Sequence, residues 1–138
     1  KQLLKIHEKT QSSVLGVFSA SENQVSNYGV ISSKNIEGIE KVDGIVEKPQ
    51  PAEAPSNLAV FGRYILSKDI FSNIEQTKPG LNNEIQLTDA IQELISNKDV
   101  FALEFEGRRY DCGSKEGYIS AIIDRAMSID KYKSIIEK

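Results

Sequence analysis

Cysteine and histidine are nearly missing from this sequence, at one residue each in 138. A lone Cys112 has no partner for an intrachain disulfide, so nothing suggests an oxidising compartment. A four-ligand Cys/His zinc site cannot be assembled, and nucleophilic catalysis by a Cys–His pair has no residue to spare. His7 stands among Lys5, Glu8 and Lys9 and reads as a solvated surface residue. No apolar run approaches the roughly 20 residues that span a bilayer, and no charged-then-apolar leader opens the chain. Seventeen basic residues against twenty acidic ones give a net charge of −3, with no basic excess for a nucleic-acid face. A Gly-rich phosphate loop of either common type is absent from the sequence, as are internal repeats and low-complexity stretches. The plain reading is a soluble cytoplasmic protein with no membrane or nucleic-acid partner. Its chemistry has to come from carboxylates, lysines, arginines and backbone amides.

What is present is an ordinary globular balance, 39% apolar and 27% charged, in a length that makes one domain. Residues 1–9 have helical spacing through Leu3, Leu4 and His7 without a cap before them, which points to sequence upstream of Lys1. Val14-Leu15-Gly16-Val17-Phe18 is a continuous apolar run, the mark of a strand covered on both faces. Tyr28-Gly29-Val30-Ile31 reads as a second strand, residues 32–43 as a hairpin or excursion, and Gly44-Ile45-Val46-Glu47 as a strand stopped by Pro49 and Pro51. Beyond a polar loop at 49–55, residues 58–66 form a longer strand containing Gly62. A helix over 67–76 has Ser67 as its N-cap and Ile70, Phe71 and Ile74 on one face. Leu87, Ala90, Ile91, Leu94 and Ile95 make the stripe of a core-facing helix. Alternation over 100–106 predicts Phe101, Leu103 and Phe105 on one face, with Ala102, Glu104 and Glu106 on a wet one. A final helix capped by Ser114 buries Ile119, Ile122, Ile123 and Ala126, and residues 129–136 offer one more short helix. Strands alternating with helices predict an α/β chain around a mostly parallel sheet.

Four polar clusters fall at strand ends or loops, where α/β sheets hold their ligands. Glu47-Lys48-Pro49 ends a buried strand; its lysine is either a point charge suited to phosphate or half of a surface ion pair. Tyr110-Asp111-Cys112-Gly113 is a tight turn whose carboxylate either ligates a hard cation such as Mg²⁺ or builds the turn itself. Residues 82–89, from Asn82 to Asp89, crowd polar groups at a helix start, where anion binding and helix capping need the same residue types. Gly29 either lets a ligand lie on the backbone or marks a bulge. Arg108 and Arg109 are a solvated pair or a phosphate clamp.

Taken in order, Tyr28-Gly29-Val30, Val46-Glu47-Lys48-Pro49, the run from Ala54-Pro55-Ser56-Asn57 through Phe61-Gly62-Arg63-Tyr64, Glu84-Ile85-Gln86-Leu87-Thr88-Asp89-Ala90, Tyr110-Asp111-Cys112-Gly113 and Gly117-Tyr118 resemble the bacterial UTP–glucose-1-phosphate uridylyltransferases of the sugar nucleotidyltransferase family. The likeness covers about residues 10–128 and corresponds to the carboxy-terminal half of such an enzyme. It implies a Rossmann-like, GT-A-like nucleotidyltransferase fold with a mixed sheet flanked by helices. The implied reaction joins UTP and glucose 1-phosphate into UDP-glucose and pyrophosphate with Mg²⁺. The resemblance makes Lys48 the catalytic cation on the sugar phosphate, Glu47 the acceptor for glucose hydroxyls and Gly29 a backbone contact to the sugar. Val60 then lines the sugar pocket and Asp111 is one of two carboxylates around the metal, while residues 82–89 shape the pocket without touching the sugar. The family's Gly-rich loop, its basic residue for the triphosphate and its other metal-binding aspartate belong to an amino-terminal half absent from this sequence. The chain alone is therefore expected to be inactive, with an unpaired sheet edge where that half would lie. Family members assemble as dimers or tetramers, so a homo-oligomer is implied. A thymidylyltransferase-like enzyme and a non-catalytic binding or oligomerisation module are the alternatives.

Overall fold

The computed structural model describes residues 1–80 and 83–136. In chain order its elements are α1 (Gln2–Thr10), β1 (Ser13–Ser19), β2 (Gly29–Ile36), β3 (Ile39–Glu47), β4 (Leu58–Ile65), α2 (Asp69–Gln76), α3 (Leu87–Asn97), β5 (Val100–Glu104), α4 (Lys115–Met127) and α5 (Asp130–Ile136), with short 3₁₀ turns at Val25–Asn27 and Pro51–Glu53. They divide into two compact units, Lys1–Phe105 and Glu106–Lys138.

In the first unit the strands are ordered β1-β4-β2-β3-β5, and the pairing closes back from β5 onto β1. β1 lies between an antiparallel β4 and a parallel β5, and its first five residues are buried, as its unbroken apolar run requires. β2 and β3 form the expected hairpin, turned by Glu37 and Gly38 at φ 52° and 82°, the left-handed pair a two-residue loop needs to match strand twist. The sheet is mixed, as the resemblance implies. It is not mostly parallel, because β1 with β5 is the single parallel pair among the described strands. Parallel neighbours need a long crossover, and residues 20–57 hold no helix longer than a 3₁₀ turn, so β2, β3 and β4 meet antiparallel. Nor, among the described strands, is one left as a free edge, since each has two neighbours. Where the ladders thin out, side chains finish the pairing: the Ile45 N–H donates to Gln92 Oε1 at 2.8 Å, and Ser56 Oγ donates to the Ile31 carbonyl at 2.6 Å.

The main core joins Leu15, Val17, Ile31, Ile45 and Val60 to Ile70, Ala90, Ile91 and Leu94 of α2 and α3, and to Val100 and Ala102 of β5. Burying each large aliphatic contributes about 1.5–3 kcal/mol relative to leaving it exposed. Several expectations are corrected here. Ala102 faces the core with Val100, and Phe101 and Leu103 take the partly covered face. Alternation says which residues share a face and leaves open which face is inside. Phe71 is 69% exposed while its neighbour Ile70 is buried. Ser67 does not cap α2; Lys68 holds that position, and the Ser67 hydroxyl donates to Asp69. His7 is half-buried, and its Nδ1 lies 2.8 Å from the Ser12 carbonyl oxygen.

β4 carries a bulge. Leu15 pairs with Tyr64 but Val17 with Val60, so residues 61–63 swell outward opposite Gly16. A Cβ at Gly16 would stand 2.8 Å from the Phe61 ring and 2.9 Å from the Arg63 carbonyl oxygen, which leaves room only for glycine.

The second unit contains α4 and α5. Ser114 caps α4 as expected, its hydroxyl accepting from the Gly117 N–H at 3.0 Å. The stripe expected to be buried is open: Ile119 is 56% exposed, and Ile122 and Ile123 nearly half. A helix stripe buries only against a second surface, and within this unit only α5 is at hand. No helix among the described residues is long and apolar enough to cross a membrane.

Candidate functional site

Gly29, the first residue of β2, pairs in register with Glu47, the last of β3. Val60 comes alongside from β4, and Thr88 arrives from the first turn of α3. A Cβ built on Gly29 would lie 3.1 Å from Val60 Cγ2, 3.3 Å from Glu47 Oε2 and 3.4 Å from Thr88 Oγ1. Four elements thus meet around a missing side chain. Val60 and Thr88 are buried, at 6% and 8% exposure, while the Glu47 side chain is only partly covered.

Lys48 follows at the mouth. Its backbone has φ 46°, left-handed for a residue with a Cβ and in front of a proline that favours extended geometry; such a conformation costs about 1–3 kcal/mol. It is held from both sides. The Lys48 N–H donates to the Tyr28 carbonyl at 3.0 Å, and Pro49 is buried. The ammonium is exposed, 3.7 Å from Glu47 Oε1. The Tyr64 hydroxyl is pushed above its usual pKa, first by burial and then by the negative charge of Glu47, against a smaller opposing effect from the backbone at Gly62.

Of the residues singled out in the sequence, Gly29, Glu47, Lys48 and Val60 therefore come together. Residues 82–89 are expected to shape the pocket without touching the sugar. Asn82 lies outside the described residues, and Thr88 donates a 2.6 Å hydrogen bond to Glu47 Oε2. The signal for it was a polar residue on the stripe of Ile91 and Ile95, where a hydroxyl needs a partner.

Asp111 belongs to the second unit. Its Oδ1 accepts from the Gly113 N–H at 3.0 Å, and its carbonyl accepts from the Ser114 hydroxyl at 3.1 Å, so it does build the turn into α4. Gly117 packs on the Asp111 carbonyl so closely that no Cβ fits. Arg108 is occupied: it pairs with Asp124 and sits 5.3 Å from the centre of the Tyr110 ring, and Tyr110 donates to the same Asp124 carboxylate. Cys112 is an exposed free thiol. Among the described residues no group of three His, Cys, Asp or Glu side chains could hold a metal ion.

A strand-end cluster in which a carboxylate, an ammonium and a bare backbone converge beside a helix start suits a phosphorylated, hydroxyl-rich ligand. The family model for nucleotidyl transferases matches residues 1–127, and the chain belongs to that family. It is 45% identical over 135 residues to UTP–glucose-1-phosphate uridylyltransferase 2 of Streptococcus pyogenes serotype M3, covering 96% of this chain and 45% of that protein. The crystal structure of UDP-glucose pyrophosphorylase complexed with UDP-glucose superposes with a TM-score of 0.88 at 45% identity, over 94% of this chain and 49% of that one. UTP-bound UGPase from Acinetobacter baumannii gives a TM-score of 0.81 at 33% identity, over 99% of this chain and 49% of that one. The chain spans about half the length of the curated relatives it matches.

Proposed function

We propose that this chain is the sugar-phosphate half of a UTP–glucose-1-phosphate uridylyltransferase. The observation that carries the reading is the meeting of Gly29, Glu47, Val60 and Thr88 within 3.4 Å of one absent Cβ, with Lys48 at the mouth. Glucose 1-phosphate lies on the Gly29 backbone and against Val60, its hydroxyls donating to Glu47. The Lys48 ammonium holds its phosphate as a point charge. A phosphate oxygen attacks the α-phosphorus of UTP, a new P–O bond forms, and the bond to the bridging oxygen of the β-phosphate breaks to release pyrophosphate. These residues bind and align the nucleophile; alignment of two charged phosphates is most of what such a transfer asks of a protein.

Asp111 fits a Mg²⁺ ligand in donor type and exposure, an oxygen donor at a loop. With no group of three possible ligands among the described residues, it would hold the ion together with phosphate oxygens and a carboxylate from elsewhere. Bound Mg²⁺ would supply neutralisation of the phosphates' mutual repulsion. The protein is further proposed to be cytoplasmic and a homo-oligomer, dimer or tetramer; apolar residues exposed on α4 and α5 support the assembly.

The test is pyrophosphate release by the full-length gene product with glucose 1-phosphate and either UTP or dTTP. Release that depends on both UTP and glucose 1-phosphate is expected. A preference for dTTP would move the protein to the thymidylyltransferases, and no release with either would leave a binding module. Light scattering on the same preparation reads the assembly state.

A further inference from the structure

Glu47 divides its two carboxylate oxygens between two partners. Oε2 accepts from Thr88 Oγ1 at 2.6 Å, a short hydroxyl-to-carboxylate bond, and Oε1 lies 3.7 Å from Lys48 Nζ. Thr88 comes from a rigid place. It sits in the first turn of α3, 8% exposed, one turn before the fully buried Ile91. Inside a helix a threonine hydroxyl commonly donates to the carbonyl four residues earlier. Residue 84 precedes α3, so this hydroxyl is spared for another element. Its β-branched side chain has few rotamers, whereas a glutamate left to itself has three loose torsions and samples many orientations.

We propose that Thr88 is a positioning residue: it fixes the carboxylate of Glu47 so that Oε1 and the remaining acceptor sites face the ligand and Lys48. This rests on the sugar-phosphate reading of the site. Thr88 spends its one proton on Glu47, so its effect on the sugar is delivered through that carboxylate. The pair also explains the glycine opposite. Oε2 and Oγ1 together occupy the space a side chain at position 29 would need.

The experiment measures kcat and KM for each substrate in the full-length gene product carrying Thr88→Val, Thr88→Ala, Thr88→Ser, Glu47→Ala and the double change of Thr88→Val with Glu47→Ala. Losing a hydrogen bond to a charged group should lower kcat/KM for glucose 1-phosphate about tenfold in the Val and Ala variants. KM for UTP should stay within about twofold of the wild-type value, and serine, which keeps the hydroxyl, should recover most of the loss. Because Thr88 works through Glu47, the double variant should be no worse than Glu47→Ala alone. The proposal is overturned by wild-type kinetics in Thr88→Val, by losses that multiply in the double variant, or by UTP and glucose 1-phosphate suffering alike. If valine prevents folding, the serine and alanine variants decide, and serine no better than alanine overturns it as well. Full activity in Glu47→Ala is a different result, which removes the sugar site itself.

Discussion

Replacing Gly29 by alanine separates packing from function at the centre of the site. The backbone there is not left-handed, so an L residue meets no intrinsic strain, and losing glycine's unfolded-state freedom should stabilise by about 0.4–1 kcal/mol. Against that, the new Cβ would stand 3.1 Å from Val60 Cγ2, 3.3 Å from Glu47 Oε2 and 3.4 Å from Thr88 Oγ1, each requiring a shift of a few tenths of an ångström at most. Overpacking on this scale costs about 1–3 kcal/mol. The net is a destabilisation of about 0–2.5 kcal/mol, which thermal unfolding would read as a Tm loss of a few degrees. The catalytic effect should be larger. On the proposed reading of the site, the methyl group pushes on the carboxylate that would receive the sugar hydroxyls. We expect kcat/KM for glucose 1-phosphate to fall by about two orders of magnitude, with KM for UTP nearly unchanged. Wild-type kinetics for glucose 1-phosphate in Gly29→Ala would refute the reasoning, because displacing Glu47 and Thr88 would then leave the ligand unaffected. A large Tm loss with both substrates equally impaired would assign Gly29 to packing alone.

Lys48→Ala should cut turnover of the full-length gene product more than tenfold, since a charge-assisted phosphate contact contributes about 1.5–3 kcal/mol, and Lys48→Arg should restore only part of it; steady-state rates near wild type in the alanine variant would take Lys48 out of the site. Asp111→Asn keeps an acceptor for the Gly113 N–H, so it should leave Tm in place while raising the Mg²⁺ needed for half-maximal rate; an unchanged Mg²⁺ titration with a lowered Tm would reduce Asp111 to its turn. The Asp69 carboxyl is held below its ordinary 3.8, first by the hydrogen bond from Lys98 and then by that from Ser67. A depressed folded-state pKa stabilises above the unfolded value and loses that contribution as pH falls through the folded one. Asp69→Asn should therefore lower Tm near pH 7, keep that deficit down to about pH 4 and narrow it only as the pH falls further, and a deficit that grows with acidification would contradict this. The 138-residue chain alone should release no pyrophosphate from UTP above background, and robust release would show that both phosphates find their ligands within it.

Much of the fold was legible because the signals were local. An unbroken apolar run marked β1, Pro49 marked the end of β3, and a helical stripe through Ala90, Ile91 and Leu94 marked α3. Where the outcome depended on partners, sequence gave only half of the answer. The pattern of Ile119, Ile122 and Ile123 is amphipathic, yet amphipathicity does not say what lies opposite, and these side chains are exposed. Alternating strands and helices suggested parallel pairing, but the direction of β2, β3 and β4 followed from short connections. Motif order brought Gly29, Glu47, Lys48 and Val60 into view. The bond from Thr88 to Glu47 joins positions 41 residues apart, and no local rule encodes such a distance.

The pairing that closes the sheet has a kinetic meaning. β1 forms near the start of the chain but takes its parallel partner from Val100–Glu104, as Ser13 meets Val100 and Val17 meets Glu104. Parallel, long-range pairing is slow to assemble because a large loop must be ordered before the contact returns any free energy. The β2–β3 hairpin can zip early on its two-residue turn, and the β1–β5 seam must come late. Native-state hydrogen exchange should then find the β1 amides that face β5 opening together with β5, as one cooperative unit. Damage at the far end of the unit would be felt at its beginning.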